Sequence, residues 1–389
     1  MKLETNIRSV EAEIQDNKLV LRSKTPLKIL SSAVLNGGPC DSKCIINYQV
    51  PEDAGSDLDD EVHKEAGDFL REEITKMGFT QNEVVAIMTA AKMKNVELVK
   101  LKFEDLGLAT FITAGAYFAA TAGDEIASKQ TAFPFKKWGT INIIILIDGN
   151  LAENCMVNAI VTATEAKAAA LRELDVRSRF SGEIATGTVT DSVVIACTKR
   201  GHIIEYAGTG TTLGELIGKS VKMALKKAIY KQEKLVSNRP LTKRLEERGV
   251  TVEGMTNLFS QIRPILRENP EKRRQFIKEL EEVLSDQNIA ALVVAGLRFD
   301  EDAKNDLIPE NPANGYGRSF IFGKILQKAV IEYMSKDQTS SKLVRPDYLS
   351  STVSDKLGWF SRSVLSAVMH SVYLNVVSKN PKDESNNKI

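Results

Sequence analysis

Residues 139–148, Gly-Thr-Ile-Asn-Ile-Ile-Ile-Leu-Ile-Asp, constrain the chain most. β-Branched side chains favour extended backbone. An apolar run with almost no polar alternation reads as a buried strand. Its apolar core, 141–147, is 7 residues long, far short of the roughly 18 that a membrane-spanning helix needs. A strand of this kind requires other elements on both of its faces.

Strand and helix signals alternate around the run. Residues 10–14 and 18–23 alternate as half-buried strands do. Residues 27–35 form an apolar run ending at Asn36-Gly37-Gly38, a turn signal. Further strands are expected at 43–50, 83–91, 108–116, 191–198 and 202–208. Helices are expected at 58–77, at 153–174 (rich in Ala and Leu) and at 212–232, where Thr211 and Thr212 can supply a cap. The Gly- and Ala-rich connection 115–138 suits a lid or a crossover. The fold class predicted for this half is α/β, a mixed sheet with flanking helices.

Near residue 233 the character changes. A charged stretch containing Pro240 suits a linker, and beyond it strand signals nearly vanish. Helices are expected at 240–248, 251–266, 270–285, 287–298, 318–335 and 355–377, punctuated by Pro264, Pro270, Pro309 and Pro312. A chain of 389 residues exceeds one ordinary core. The predicted organisation is an α/β domain over 1–235, a smaller all-α domain over 240–378 and a polar tail over 379–389.

Charge excludes several function classes. A net charge of +1 offers no global attraction to nucleic acid or to an anionic membrane. The basic residues between Lys219 and Arg248 alternate with apolar ones at helical spacing and read as a solvated face. No signal sequence is recognised, so a cytoplasmic protein is the expectation. Cys40, Cys44, Cys155 and Cys197 are scattered and read as ordinary thiols. His63, His202 and His370 stand in no catalytic or zinc-binding spacing. No metal ligands and no cofactor are assigned, although a hydrolytic divalent metal held by carboxylate or thiolate stays open. Gly218-Lys219-Ser220 resembles the end of a phosphate-binding loop, but position 213 is Leu213 where the loop needs its first glycine.

Chemistry-bearing residues recur where strands end: 31–38, 139–142, 163–167, 185–192 and 206–218. Polar punctuation of apolar strands tends to line a cleft at a sheet edge. The stretch Tyr206-Ala-Gly-Thr-Gly-Thr-Thr-Leu-Gly-Glu-Leu-Ile-Gly218 belongs to this set. Together with Leu30–Gly38, 163–171 and 185–196, in that order, it resembles the adenosylcobinamide amidohydrolase (CbiZ) family over about residues 25–230. The resemblance implies hydrolysis of the amide joining the aminopropanol arm to the corrin ring, with a small-molecule corrinoid as substrate.

Amide hydrolysis needs an activated nucleophile, a stabilised oxyanion and a protonated leaving amine. Glu165 and Asp191 are the candidates for acid and base, and Thr190 for placing water or for attack. Ser32 and Thr188 offer further hydroxyls, Asn36 and Asn142 can orient an amide, and Lys167 supplies positive charge. Backbone N–H groups at Gly37, Gly38 or Gly187 suit an oxyanion hole, and Thr211, Thr212 and Glu215 mark a helix start that can receive a polar group. Family members usually carry a histidine where this chain has Gly210, and often one where it has Cys44.

Residues 240–375 resemble the all-helical domain of α-ribazole-phosphate phosphatases and of YutG-like phosphatidylglycerophosphatases A. Such proteins carry acidic pairs where this chain has Ser319 and Phe320 before Gly323, and Arg362 and Ser363 later. Replacing carboxylates by Phe, Arg or Ser loses the ligand charge that holds Mg²⁺, although Asp300, Glu301, Asp302 and Asp306 remain. The resemblance implies a degenerate domain serving packing, dimerisation or corrinoid handling, with a corrinoid-binding protein or a working phosphatase as the alternatives.

Overall fold

The computed structural model describes residues 1–50, 61–125, 139–308, 321–335 and 357–378, with the side chains of 61–66, 81 and 321 excepted. The tail over 379–389, most of the 115–138 connection, and Ser319 and Phe320 lie outside them. The chain divides into two compact units, Met1–Ser237 and Asn238–Ile389.

In the first unit the strands are β1 (Lys2–Leu3), β2 (Val10–Gln15), β3 (Lys18–Ser31), β4 (Gly38–Gln49), β5 (Val84–Thr89), β6 (Glu97–Phe103), β7 (Leu106–Ala114), β8 (Ala119–Ala120), β9 (Ile141–Asp148), β10 (Asn150–Leu151), β11 (Gly187–Thr188), β12 (Ser192–Cys197) and β13 (Ile203–Ile204). The helices are α1 (Glu61–Lys76), α2 (Glu153–Glu173) and α3 (Thr212–Glu233).

One mixed sheet runs β1-β2-β3-β12-β9-β7-β6, with β4 on the other edge of β3 and β5 beyond it. β3 serves two neighbours on one edge: Lys18–Ser23 pairs with β2, and Lys28–Ser31 with β12. An irregularity between Arg22 and Leu27 separates these halves, and the bend curls the sheet upon itself. The curl shows in a contact: β5 and β9 are far apart in pairing order, yet Asn142 Nδ2 of β9 donates to Met88 O of β5 at 2.7 Å.

The apolar run is buried because α2 and α3 cover one of its faces and the curled sheet covers the other. Ile143, Ile145 and Ile147 pack with Ala159, Ala163 and Ala170 of α2 and with Ile217, Val221 and Leu225 of α3. Ile144 and Leu146 point the other way, among Leu19, Leu21, Ile45, Val85 and Ile87 of the opposing strands. The alanine stripe lets α2 lie close to the sheet. On the outer face of β3–β5, Leu70 and Ile74 of α1 cover Val20, Ile46, Val84 and Ala86. The order is therefore helix, sheet, sheet, helix.

The structure differs from the sequence reading in places. The runs expected at 18–23 and 27–35 are one long strand, β3. Only Ile203–Ile204 of the 202–208 run is strand. β6 was not anticipated; its Lys100 and Lys102 interrupt the apolar residues.

The second unit is helical: α4 (Leu241–Glu247), α5 (Val252–Ile262), α6 (Ile265–Glu268), α7 (Pro270–Leu284), α8 (Gln287–Lys304), α9 (Ile321–Met334) and α10 (Trp359–Ser378). Pro264 breaks the helix expected over 251–266 into α5 and α6. Among the described residues no helix is long and apolar enough to cross a membrane.

Candidate active site

β9 and β12 run parallel, with Asn142 opposite Ser192, so their N-terminal ends lie side by side. Asp191 immediately precedes β12 and turns towards α2. There Lys167 meets Asp191 Oδ2 at 2.5 Å, and both side chains are about nine-tenths buried. The Ile141 N–H donates to Oδ1 at 3.1 Å and the Thr188 N–H to Oδ2 at 3.0 Å. The Thr188 hydroxyl also donates to Oδ1.

Each carboxylate oxygen thus takes two donors, which fills the acceptor capacity of the group. This corrects the assignment of Asp191 as a free general base: it anchors Lys167, the 187–188 strand and the start of β9. Lys167 keeps two of its three N–H donors uncommitted among the described residues, since Asp191 is its one bonded partner there. Gly187 is obligatory for this pair, because a Cβ there would stand 2.5 Å from Asp191 Oδ2 and 2.8 Å from Lys167 Nζ.

Beside the ion pair, Thr190 is exposed and its hydroxyl is hydrogen-bonded to that of Thr140, which is buried. Thr140 also donates to the Thr190 carbonyl at 3.2 Å. The sequence reading placed 139–142 among the chemistry-bearing strand ends without singling out Thr140. Ser32 joins the same sheet end. Its N–H donates to Val193 O and its Oγ accepts from the Val193 N–H, both at 3.0 Å. The turn at Asn36 (φ 54°) and Gly38 (φ 86°) links β3 to β4 at this end, with Asn36 Nδ2 tied to Val84 O at 2.7 Å. Gly37 packs against the Ala33 backbone, where a Cβ would collide.

Asn142 is fully buried between the sheet layers. Its Nδ2 donates to Asn47 Oδ1 at 3.0 Å, and Asn47 in turn donates to Thr113 at 2.9 Å. Asn142 is thus a core hydrogen-bonding residue beneath the site rather than a group presented to a substrate amide, a correction to the expectation.

Other expected residues stand elsewhere. Glu165 is exposed on α2; side chains two apart on a helix point in different directions, so it cannot share the face of Lys167. Thr211 caps α3, accepting from the Gly214 N–H at 3.0 Å. Thr212 and Glu215 are exposed on the first turn, where Glu215 pairs with Lys219. That turn follows β13, which pairs with β10 beyond the C-terminal end of β9. The last turn of α3 lies near Gly115, whose N–H donates to Thr140 O. A helix of 22 residues is about 33 Å long. Thr211, Thr212 and Glu215 therefore mark the far end of α3 and do not join the Asp191 cluster. Ser220 is buried against Thr110 at 2.8 Å, so Gly218-Lys219-Ser220 is helix interior and no phosphate loop.

Cys44 and Gly210, where the family resemblance implies histidines, also lie apart from the cluster. Cys44 is buried under α1 with Val20, Ile46 and Leu70, and burial pushes its thiol up to about 12. A Cβ at Gly210 would meet open space.

In the second unit the acids at 300–306 are engaged. Asp300 accepts from the Phe360 and Ser361 N–H groups, both at 2.9 Å, and from the Ser361 hydroxyl. Burial pushes its carboxyl above the ordinary range, and these bonds pull it part of the way back. Glu301 pairs with Arg248 at 3.2 Å and with Arg298 at 2.6 Å. No group of three or more metal-binding side chains forms among the described residues. The Mg²⁺ face considered for Asp300–Asp306 is thus corrected for Asp300 and Glu301, which cap a helix and bind arginines.

The adenosylcobinamide amidohydrolase (CbiZ) family model matches residues 2–237. A protein of Methanosarcina mazei named adenosylcobinamide amidohydrolase is 31% identical over 226 residues, covering 56% of this chain and 96% of its own length. An uncharacterised protein of Methanocaldococcus jannaschii is 31% identical over 241 residues, covering 58% of this chain and 91% of its own. Among solved structures, an L-aminopeptidase D-Ala-esterase/amidase from Ochrobactrum anthropi covers 59% of this chain and 86% of its own at 9% identity. Its TM-score is 0.31, too low to carry an argument.

Proposed function

The chain belongs to the adenosylcobinamide amidohydrolase family, and from that premise we propose that its first unit hydrolyses the aminopropanol amide of adenosylcobinamide. The carrying observation is the likeness to the M. mazei protein of that name along nearly its whole length. In the reaction water adds to the amide carbonyl, the C–N bond breaks and the leaving amine takes a proton. The products are adenosylcobyric acid and the aminopropanol.

The cluster at the N-terminal ends of β9 and β12 is the proposed centre. Lys167, held by Asp191, aims its free N–H donors at the carbonyl oxygen as negative charge develops there. A pre-oriented charge in a mostly buried site stabilises such an oxyanion strongly. The Thr190 hydroxyl, backed by Thr140, orients the attacking water. The two departures from the histidines that the resemblance implies support retained activity, because Cys44 lies in the core beneath α1 and Gly210 stands just before α3, at the end of that helix away from the Asp191 cluster. The positive charge comes from Lys167, so no metal is required, and a chelator should leave the rate unchanged.

The test is conversion of adenosylcobinamide by the purified chain, read as a new acidic corrinoid on chromatography. Product is expected from the native chain and none from Lys167→Met. A folded protein that binds the corrinoid but yields no product over hours, with divalent metals supplied, would overturn hydrolysis in favour of a binding role.

A further inference from the structure

We infer that the second unit carries a binding site for a small oxyanion, formed by Arg263, Ser366 and His370. Ser366 and His370 are four residues apart on α10 and therefore share one face, with Tyr373 continuing the stripe. Arg263 ends α5. Its guanidinium carbon lies 5.2 Å from the centre of the Tyr373 ring and 6.0 Å from that of Phe259. The two rings hold the planar group in place against the α10 stripe.

Three buried polar atoms here lack a hydrogen-bond partner: Arg263 Nε, Ser366 Oγ and His370 Nδ1. Ser366 is 1% exposed. Folded proteins leave few buried polar atoms unpaired, so three on one patch ask for a common partner. All three groups can donate: a guanidinium N–H, a hydroxyl and an imidazole N–H. Among the described residues, Arg263 makes one weak hydrogen bond, from Nη1 to Ile262 O at 3.5 Å, and no ion pair. A partner that accepts from all three and offsets a permanent positive charge is an anion of a few atoms. Water satisfies the donors, whereas a small anion also neutralises the guanidinium, which is half-buried and has no carboxylate partner among the described residues. Burial and the neighbouring Arg263 charge hold the His370 imidazole below its ordinary range, as expected where positive charge lacks a counterion.

Phosphate and carboxylate share this chemistry, and the test separates them. The chain has three histidines, so imidazole signals of the full-length protein can be followed singly, with His370 assigned from a His370→Gln spectrum. Inorganic phosphate and acetate are titrated separately, with chloride holding ionic strength constant. The expected result is a saturable shift of the His370 signal with one of the two, while His202 stays still. Affinity should fall about tenfold or more in Arg263→Gln and in Ser366→Ala, the scale of a hydrogen bond to a charged group. Ser366→Ala keeps the fold testable should the arginine variant prove unstable. No saturable shift with either anion, or a shift that both variants retain unchanged, would overturn the site and leave the patch to water.

Discussion

At Gly187 a single hydrogen stands where any side chain would displace an ion pair. Gly187→Ala places its methyl against Asp191 Oδ2 and Lys167 Nζ. Overpacking of this kind costs about 1–3 kcal/mol, and hydrolysis should be lost with the geometry of Lys167. Lys167→Met removes the cation itself. Breaking a buried pair costs about 3–5 kcal/mol; the lower end is expected, because Asp191 keeps three other donors. Urea unfolding of both variants, set beside the product assay, checks stability and activity separately. Cys44 yields a pH prediction. Its thiol is pushed up to about 12 by burial, against about 8.5 for an exposed cysteine. The folded state then holds a proton that the unfolded state releases. This contribution is fully present below about pH 8.5 and is lost as the pH climbs towards 12. The unfolding free energy should fall across that window by about 1.4 kcal/mol per pH unit for each such thiol. Cys44→Ala should make the fall shallower without abolishing it, since Cys155, pushed up to about 11, retains a share. An unchanged slope in the variant would refute this assignment.

At the scale of elements, helix ends decide more than helix interiors. Asp300 on α8 caps the start of α10 from outside the helix. Asp300→Ala strands those N–H groups, and a lost cap costs about 0.5–2 kcal/mol. Thermal unfolding of the second unit should move down accordingly, while corrinoid hydrolysis by the first stays unchanged. Individual elements were legible in the sequence because burial leaves a local trace: the alanine stripe of α2, the isoleucine run of β9 and the Thr211 cap of α3 each appear within a few residues. Their mutual placement was not legible. Asp191 looks like a free acid in sequence, and its saturation depends on the N–H of Ile141 and on Lys167, 50 and 24 residues away. The divergence of Glu165 and Lys167, by contrast, was already implied by the helix predicted over 153–174, since side chains two apart on a helix face different ways. Thr212 shares a family-like stretch with the site but is carried off by the length of α3. The curl of the sheet follows from one bend in β3 between Arg22 and Leu27, where Pro26 cannot donate to the ladder and so marks the break in pairing, although its consequence for the whole sheet is not local.

At the scale of the molecule, the two units have separate cores. The first is closed by α1 on one side and by α2 and α3 on the other, with every core residue drawn from positions before 238. The second draws its core from residues 241 onwards. The family match ends at 237, where the first unit ends, and this chain covers 91% and 96% of the two curated relatives' own lengths. A fragment of residues 1–237 should therefore fold cooperatively, with a midpoint within a few degrees of the first transition of the full chain, and should convert adenosylcobinamide with kcat/KM within about threefold, under 1 kcal/mol of transition-state stabilisation. Calorimetry and the corrinoid assay on fragment and full chain check the two halves of the prediction. A fragment that folds yet loses hydrolysis would assign the helical unit a part in catalysis, whereas one that fails to fold would show that the helical unit stabilises the sheet.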